Sequence, residues 1–210
     1  MIDIKKIFSK KDTVENKVEV SSTRKSKFQL KVDKDALKKL KLVVVAYSHV
    51  EREFFPTEDA YNAEVEVEER AKDVVDRLVS LGINTKAMPG DRYFLTNLLV
   101  DKPDIVLNLV DTLRGKDNLQ TSVPAALELS NLPYTGAQME GLVIGNNRNI
   151  TKRMLMAYGI PTPNFQFIRR VGTAVRDEMG LPLIVKLNES GGSVGINNTA
   201  VKETLREAQK

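Results

Sequence analysis

Short apolar runs alternate with segments of helical periodicity from about residue 41 onward. The first run, residues 42–47, predicts a buried strand, and a polar loop at 48–62 leads into an amphipathic helix. The apolar positions of that helix recur at three- and four-residue spacing, and they are Val67, Ala71, Val74, Val75, Leu78 and Val79. Gly82 then stands where a helix commonly ends.

The same alternation continues through the middle of the chain. It predicts a strand at 85–88, a helix at 93–100 and a buried strand at 105–110. Another helix is expected soon afterwards, and its first turn should lie near Thr121 or Ser122 because Pro124 is tolerated only close to a helix start. Strands that alternate with helices are typical of an α/β fold with a parallel sheet.

The last third of the chain predicts a second, smaller domain. A helix is expected at 149–158, and Pro161 and Pro163 after it favour a stiff, extended connection between domains. Beyond them the pattern predicts strands at 165–168 and 183–187, a short helix at 174–179 and a final helix from near Val201. The predicted division is therefore a leader at 1–40, a domain at 41–145 and a domain at 146–210 that is too short to bury a full core.

Amino-acid composition limits the cellular compartments and the classes of protein to be considered. The 210 residues contain no cysteine, so disulfides and thiolate metal sites are excluded. The N-terminus does not resemble a signal peptide, and no apolar run approaches the roughly 20 residues that cross a bilayer. We therefore expect a soluble, cytoplasmic protein with no membrane partner.

Positive charge is concentrated in the leader. Residues 1–41 carry thirteen Lys or Arg against six Asp or Glu, whereas the whole chain has a net charge of +4. Such a segment could contact nucleic acid or an acidic surface, but it lacks interleaved aromatic residues. We expect a solvated, partly disordered extension and no nucleic-acid partner.

One motif, PLIVKLNESGGSVGI at residues 182–196, suits the binding of a polyphosphate. A strand delivers Lys186 to its end, and a loop rich in Gly and Ser follows at once. Glycines let backbone N–H groups approach phosphate oxygens, and a lysine adds a mobile positive charge. A Gly/Ser loop after a strand is also typical of a tight hairpin turn, so the lysine is the feature that favours a nucleotide.

The order of these residues resembles the ATP-grasp superfamily, and in particular the D-alanine:D-alanine ligases. There a strand reading V-K precedes a loop of the form E-G-S-S-V-G, as IVK precedes ESGGSVG here. Two further segments match in sequence order, LNLVDTLRGKDNLQTSVPAALELSNLPYTGA and NRNITKRMLMAYGIPTP. The resemblance runs from about Lys41 to Ile196.

This resemblance implies a Rossmann-like pre-ATP-grasp domain with a parallel sheet, followed by a partial ATP-grasp domain. It implies that ATP phosphorylates a carboxylate and that the amine of a second small amino acid attacks the acyl phosphate, as in peptidoglycan synthesis. The family also implies Mg²⁺, whose ligands are expected outside this chain, and a homodimer. We therefore expect a ligase by family that has weak or no activity as this isolated chain.

Site residues follow from the resemblance position by position. Lys186 matches the lysine that touches the nucleotide phosphates, and Arg148 stands where the family has a second nucleotide-binding lysine. The loop expected to close over the phosphates comprises Glu189, Ser190, Gly191, Gly192 and Ser193. An arginine at 148 is a planar fork, unlike lysine, and a solvated residue at a helix start is the alternative interpretation.

Glu64 matches the family glutamate that helps hold the ammonium of the first amino acid. Acidic residues are also favoured in a first helical turn by the helix dipole alone, and Glu51, Glu53, Glu66 and Glu68 compete nearby. The only histidine, His49, is interpreted as a solvated loop residue, with a role as general base as the alternative.

The chain departs from the family in the loop after the third predicted strand, which leaves its amino-acid specificity open. VDTLRGKDN replaces the family's histidine- and glycine-rich loop, so its charged candidates are Asp111, Arg114 and Asp117 besides Lys116. Two alternatives to a D-alanine:D-alanine ligase follow. One is a non-catalytic module that binds a nucleotide or a partner, and the other is an ATP-grasp ligase that joins a different amino acid or makes a different amide.

Overall fold

Three parallel strands form the centre of the fold. The computed structural model describes residues 34–189, 191 and 196–209, and most of the predicted leader therefore lies outside the described residues. After a short helix α1 (Lys34–Lys39), the strands β1 (Val43–Ser48), β2 (Thr85–Gly90) and β3 (Ile105–Leu109) lie in the order β2-β1-β3. The predicted α/β fold with a parallel sheet is confirmed.

Helices cover both faces of the sheet, and every residue of the central strand β1 is therefore buried. On one face, α4 (Phe94–Asp101) and α5 (Ser122–Leu129) pack on Val44, Ala46 and Val106. On the other, α3 (Val67–Ser80), which follows the short helix α2 (Glu58–Asn62), packs on Val45 and Tyr47. Continuous apolar runs such as that of β1 are what a strand buried on both faces requires.

The predicted amphipathic helix is α3, and its apolar face is nearly the predicted one. Val67 and Ala71 are buried, and Val74, Val75 and Leu78 pack against the same cluster. Val79 was wrongly placed on this face, since it is 52% exposed. Gly82 follows with a φ of 81°, a left-handed conformation that glycine adopts at helix ends without strain.

A short 3-10 helix, Asp117–Thr121, precedes α5. Helix α5 begins at Ser122, as expected, and Pro124 lies in its first turn. The chain then returns beside β3, where Tyr134 forms a parallel bridge with Val106. Two helices follow, α6 (Met139–Asn146) and α7 (Arg148–Ala157). Helix α7 was predicted, whereas α6 was not.

Several predictions for the last third are wrong. No strand forms at residues 165–168, where side chains bond the backbone instead: Gln166 bonds with Ala174 and Arg176, and Arg176 Nη2 donates to the Phe165 carbonyl. The helix predicted at 174–179 is reduced to a 3-10 turn, Asp177–Met179.

The second predicted strand of this region is shorter than expected, and the final helix begins later. Only β4 (Leu183–Ile184) forms, and it pairs antiparallel with β5 (Val201–Lys202), where a helix start was predicted. Helix α8 (Leu205–Ala208) begins after Thr204, because Thr204 and Glu207 form a capping box that fixes the helix start there. Among the residues described, no helix is long and apolar enough to cross a membrane.

Candidate functional site

Ser48 fixes the loop that follows β3. This residue ends β1 and is fully buried, and its Oγ accepts hydrogen bonds from the backbone N–H groups of Asp111 and Thr112, each at 3.0 Å. The carboxyl ends of adjacent parallel strands are thus joined by a side chain. Loops at this edge of an α/β sheet are the usual place for ligands.

Within that loop, residues 113–116 form a tight turn, hereafter the 113–116 turn. Leu113 and Lys116 exchange backbone hydrogen bonds of 3.3 and 3.1 Å, and the central residues Arg114 and Gly115 have φ values of 53° and 68°. Two positive φ angles are the mark of a type I′ turn. A Cβ at Gly115 would clash with the Phe54 carbonyl oxygen, so the turn packs directly against the loop after β1.

This contact creates an open groove of about 280 Å³ between the two loops. The Arg114 guanidinium carbon lies 5.7 Å from the centre of the Phe54 ring, a cation–π distance. The groove is lined by Glu53, Phe54, Arg114, Lys116 and Leu119. Sequence reasoning named Arg114 and Lys116 but not Phe54 or Leu119, since no local pattern signals a contact between these loops.

A group of carboxylates lies beside the 113–116 turn. Glu64, in the turn that leads into α3, is half-buried, and its Oε2 has no hydrogen-bond partner among the described residues. Burial raises the pKa of Glu64, and the charges of Asp111 and Asp117 raise it further, whereas Arg70 acts in the opposite direction. Burial likewise raises the pKa of the Asp111 carboxyl, although the residue as a whole is exposed. A bound cation would relieve this repulsion.

Lys186 and Arg148 have different surroundings. Lys186 is exposed just beyond β4, and within the described ranges its ammonium has no hydrogen-bond or ion-pair partner. Arg148 is half-buried at the start of α7, and its Nη1 donates to the Leu187 carbonyl at 2.7 Å while its backbone N–H donates to the Asn188 carbonyl at 3.1 Å. Arg148 thus lies at a helix start, as the alternative interpretation had it, and it also ties α7 to the segment after Lys186.

Two asparagines that sequence reasoning missed hold Glu189. The side-chain amides of Asn147 and Asn188 both donate to Glu189 Oε1, at 2.7 and 3.2 Å. Asn147 is also the N-cap of α7, since its Oδ1 accepts from the Ile150 N–H. An asparagine before a helical segment is a recognisable cap signal, and that signal could have identified this residue.

The loop after Lys186 contacts the neighbouring carboxylates at Gly191. The backbone N–H of Gly191 donates to Asp117 Oδ2. A carboxylate oxygen thus occupies a backbone amide of the loop that was expected to hold phosphate, and it shows that this amide can receive an anion. The predicted residues Ser190, Gly192 and Ser193 lie outside the described residues.

His49 and the predicted Mg²⁺ stand apart from this arrangement. His49 Nε2 lies 2.7 Å from Glu51 Oε1, and its ring packs edge-on to Phe54 with centroids 6.2 Å apart. In the part of the chain that the structure describes, no group of three or more His, Cys, Asp or Glu could hold a metal ion. The residues present therefore do not form the family's metal site.

Comparison of the sequence with known proteins points in one direction. No protein-family model matches the chain. An uncharacterised protein, y4sG, of Sinorhizobium fredii is 32% identical over 148 residues, which cover 67% of this chain and 44% of the relative. The D-alanine–D-alanine ligase of a Polaromonas species is 30% identical over 64% of this chain and 41% of its own length. That of Moorella thermoacetica is 31% identical over 58% and 41%.

This chain is similar in sequence to the D-alanine–D-alanine ligases. Its fold agrees with that relationship, since the D-alanine–D-alanine ligase of Bacillus anthracis, solved with ATP, superposes with a TM-score of 0.57. The superposition covers 80% of this chain and 52% of the solved one at 19% sequence identity, a level that shows the fold alone. The chain spans less than half the length of the curated relatives it matches.

The relationship leaves the roles of individual residues as predictions. Of the predicted residues, Arg148 and Glu189 lie together at the start of α7, and Gly191 contacts Asp117. Glu64 is coupled to Asp117 by charge. The predicted amino-acid side and the predicted nucleotide side therefore meet at the carboxyl end of the sheet, and Asp117 is the residue common to both.

Proposed function

We propose that this chain forms the amino-acid-binding wall and part of the nucleotide-binding wall of an ATP-dependent carboxylate–amine ligase. The contact between Asp117 and Gly191 carries the proposal, because it joins the carboxylates at the sheet edge to the loop after Lys186. Phosphoryl transfer needs the acceptor carboxylate and the γ-phosphate side by side. The described residues supply adjacent positions for the two.

On the amino-acid side, Glu64 is the group proposed to receive the substrate ammonium. Its unpartnered Oε2 and the raised pKa of its carboxyl both indicate a site that a positive charge would stabilise. The charge of Asp111 acts on Glu64 and adds to the negative charge at this site. An ammonium held here would leave the α-carboxylate of the same molecule free to face the loop after Lys186.

On the nucleotide side, Lys186 is proposed to bind a phosphate oxygen of ATP. Its ammonium has no hydrogen-bond or ion-pair partner in the described ranges. Lys186 also precedes a loop in which the Gly191 backbone N–H donates to a carboxylate. Arg148 is proposed as a positioning residue, because it fixes the backbone at Leu187 and Asn188. ATP would supply the phosphoryl group that activates a carboxylate for attack by an amine.

Mg²⁺ belongs to this chemistry in general, because it neutralises charge on the β- and γ-phosphates. The carboxylates of the described ranges do not form a group that could hold a metal. No step is therefore assigned to a metal held by these residues.

The proposal is tested first by calorimetric titration of the chain with ATP. Lys186→Ala should abolish the binding, while Lys202→Ala should leave it unchanged. Lys202 is a matched control since it lies on β5, which pairs with the strand that precedes Lys186. Absence of ATP binding by the wild-type chain, or equal loss in both variants, would contradict the proposal.

A second measurement separates catalysis from binding. Phosphate release from ATP is followed with D-alanine and with a panel of other amino acids and small acids. Release that depends on an amino acid supports a ligase, whereas ATP binding without release under any condition favours a non-catalytic nucleotide-binding module. The altered loop after β3 makes the identity of the amino acid the main question within the ligase hypothesis.

A further inference from the structure

The groove beside the 113–116 turn presents two cations that no described residue neutralises. The guanidinium of Arg114 and the ammonium of Lys116 make no hydrogen bond or ion pair with any described side chain. In the neighbouring loop, Arg52 pairs with Glu58 at 2.8 Å, and His49 Nε2 lies 2.7 Å from Glu51 Oε1. Glu53 is the single acidic residue that lines the groove.

The two cations are held on a rigid support. The Gly115 position admits no Cβ, because the Phe54 carbonyl lies too close, and the Phe54 ring packs under the Arg114 guanidinium. Ser48 anchors the start of the same loop from within the core. The backbone that carries both side chains is therefore fixed, and the Arg114 guanidinium is also held by the Phe54 ring, so less conformational freedom is lost when a ligand binds.

The position of the 113–116 turn relates it to the proposed substrate. It lies in the chain between Asp111 and Asp117, whose charges act on Glu64. One loop therefore places positive charge beside negative charge. A molecule with an ammonium and a separate carboxylate would complement both kinds of charge.

We propose that Arg114 and Lys116 bind the side-chain carboxylate of the amino-acid substrate, so that this chain selects an acidic amino acid in place of alanine. The inference rests on the proposed function, because the remaining groups of the substrate are assigned to Glu64 and to the nucleotide side. A planar guanidinium suits a carboxylate through two parallel hydrogen bonds. The groove, at about 280 Å³, has room for a small side chain.

The test is calorimetric titration of the chain with D-aspartate, D-glutamate, their L forms and D-alanine, each with ATP present. An acidic amino acid should bind at least about tenfold more tightly than D-alanine, as expected for one charge-assisted contact. Arg114→Gln and Lys116→Gln should each reduce that preference, and the double variant should remove it. Arg77→Gln is the control, because Arg77 is exposed in the last turn of α3, remote from the groove.

The outcomes separate this inference from the proposed function. D-Alanine binding as tight as that of the acids overturns the inference, and so does a preference for acids that survives the double variant. Failure of every amino acid to bind while ATP still binds also overturns it. ATP binding that depends on Lys186, measured in parallel, is the readout of the proposed function and does not depend on Arg114 or Lys116. Circular dichroism confirms that each variant is folded.

Discussion

The backbone N–H of Gly191 donates a hydrogen bond to the carboxylate of Asp117, which lies 74 positions earlier in the chain. A negative charge therefore occupies the loop that is proposed to bind phosphate. Like charges at close range repel, so Asp117 and a phosphate group would compete for the same amide.

This competition predicts that Asp117→Asn tightens the binding of ATP. The amide can still accept from Gly191, but it carries no charge, so we expect an affinity gain of about two- to tenfold at low salt that shrinks as salt is added. Calorimetric titration at two ionic strengths measures it. Asp73→Asn, at an exposed position on α3, is the control and should have no effect. Weaker binding by Asp117→Asn would mean that the carboxylate assists the nucleotide.

Glu64 predicts a pH dependence of stability. Its pKa is raised in the folded state above the ordinary value of 4.5, so the folded chain holds this proton more tightly than the unfolded chain does. The contribution of Glu64 to the free energy of unfolding is therefore present at low pH and is lost as the pH rises above about 4.5 through the raised folded-state pKa.

Glu64→Gln should remove this loss. The melting temperature of the variant relative to the wild type should rise between pH 4 and pH 7, and thermal denaturation across that range measures the difference. Asp111 changes in the same direction and remains in both proteins. Glu69→Gln, at an exposed position on the same helix, should show no such trend. A difference that is constant with pH would be incompatible with the raised pKa.

Ser48→Ala is expected to destabilise the fold. The substitution leaves the backbone N–H groups of Asp111 and Thr112 without their acceptor, at a cost of about 1–3 kcal/mol for a buried group. Urea unfolding measures this change in the free energy of unfolding. Ser80→Ala removes an exposed hydroxyl that bonds to the Arg77 carbonyl, and it should cost well under half as much. Equal effects would show that the buried acceptor is unimportant.

Gly115→Ala separates a steric effect from a backbone effect. Both Gly115 and Gly82 have positive φ, so alanine at either position strains the backbone by about 1 kcal/mol. A Cβ at Gly115 also meets the Phe54 carbonyl, whereas one at Gly82 meets no atom of the described residues within 4 Å. Gly115→Ala should therefore be the more destabilising by at least about 1 kcal/mol in urea unfolding, and the reverse order would disprove the close contact.

The sheet was predictable because its signals are local. The apolar run of β1 reflects burial of the strand on both faces of the sheet. The spacing of Val67 and Ala71 reflects the packing of one face of α3 against the sheet. Helix α6 gave no comparable signal, since Gly141 and Gly145 lower its helix propensity and none of its residues is buried.

The last third was harder because tertiary contacts decide it. The sequence around Val201 is compatible with either a strand or a helix start, and the pairing of Val201 with Ile184 selects the strand. The same holds for the candidate site. Lys186 and Glu64 were identifiable from their motifs, but the contact between Asp117 and Gly191 joins distant segments, and no periodicity reveals it.

Asn147 uses both ends of one amide: its oxygen accepts from Ile150 within α7, and its nitrogen donates to Glu189. Together with Arg148, Asn147 links α7 to the segment after Lys186 by hydrogen bonds. A tilt of α7 would therefore carry the backbone at Leu187 and Asn188 along with it, whereas Gly191 is held by Asp117. The position of Lys186 relative to the carboxyl end of the sheet thus depends on the orientation of this helix.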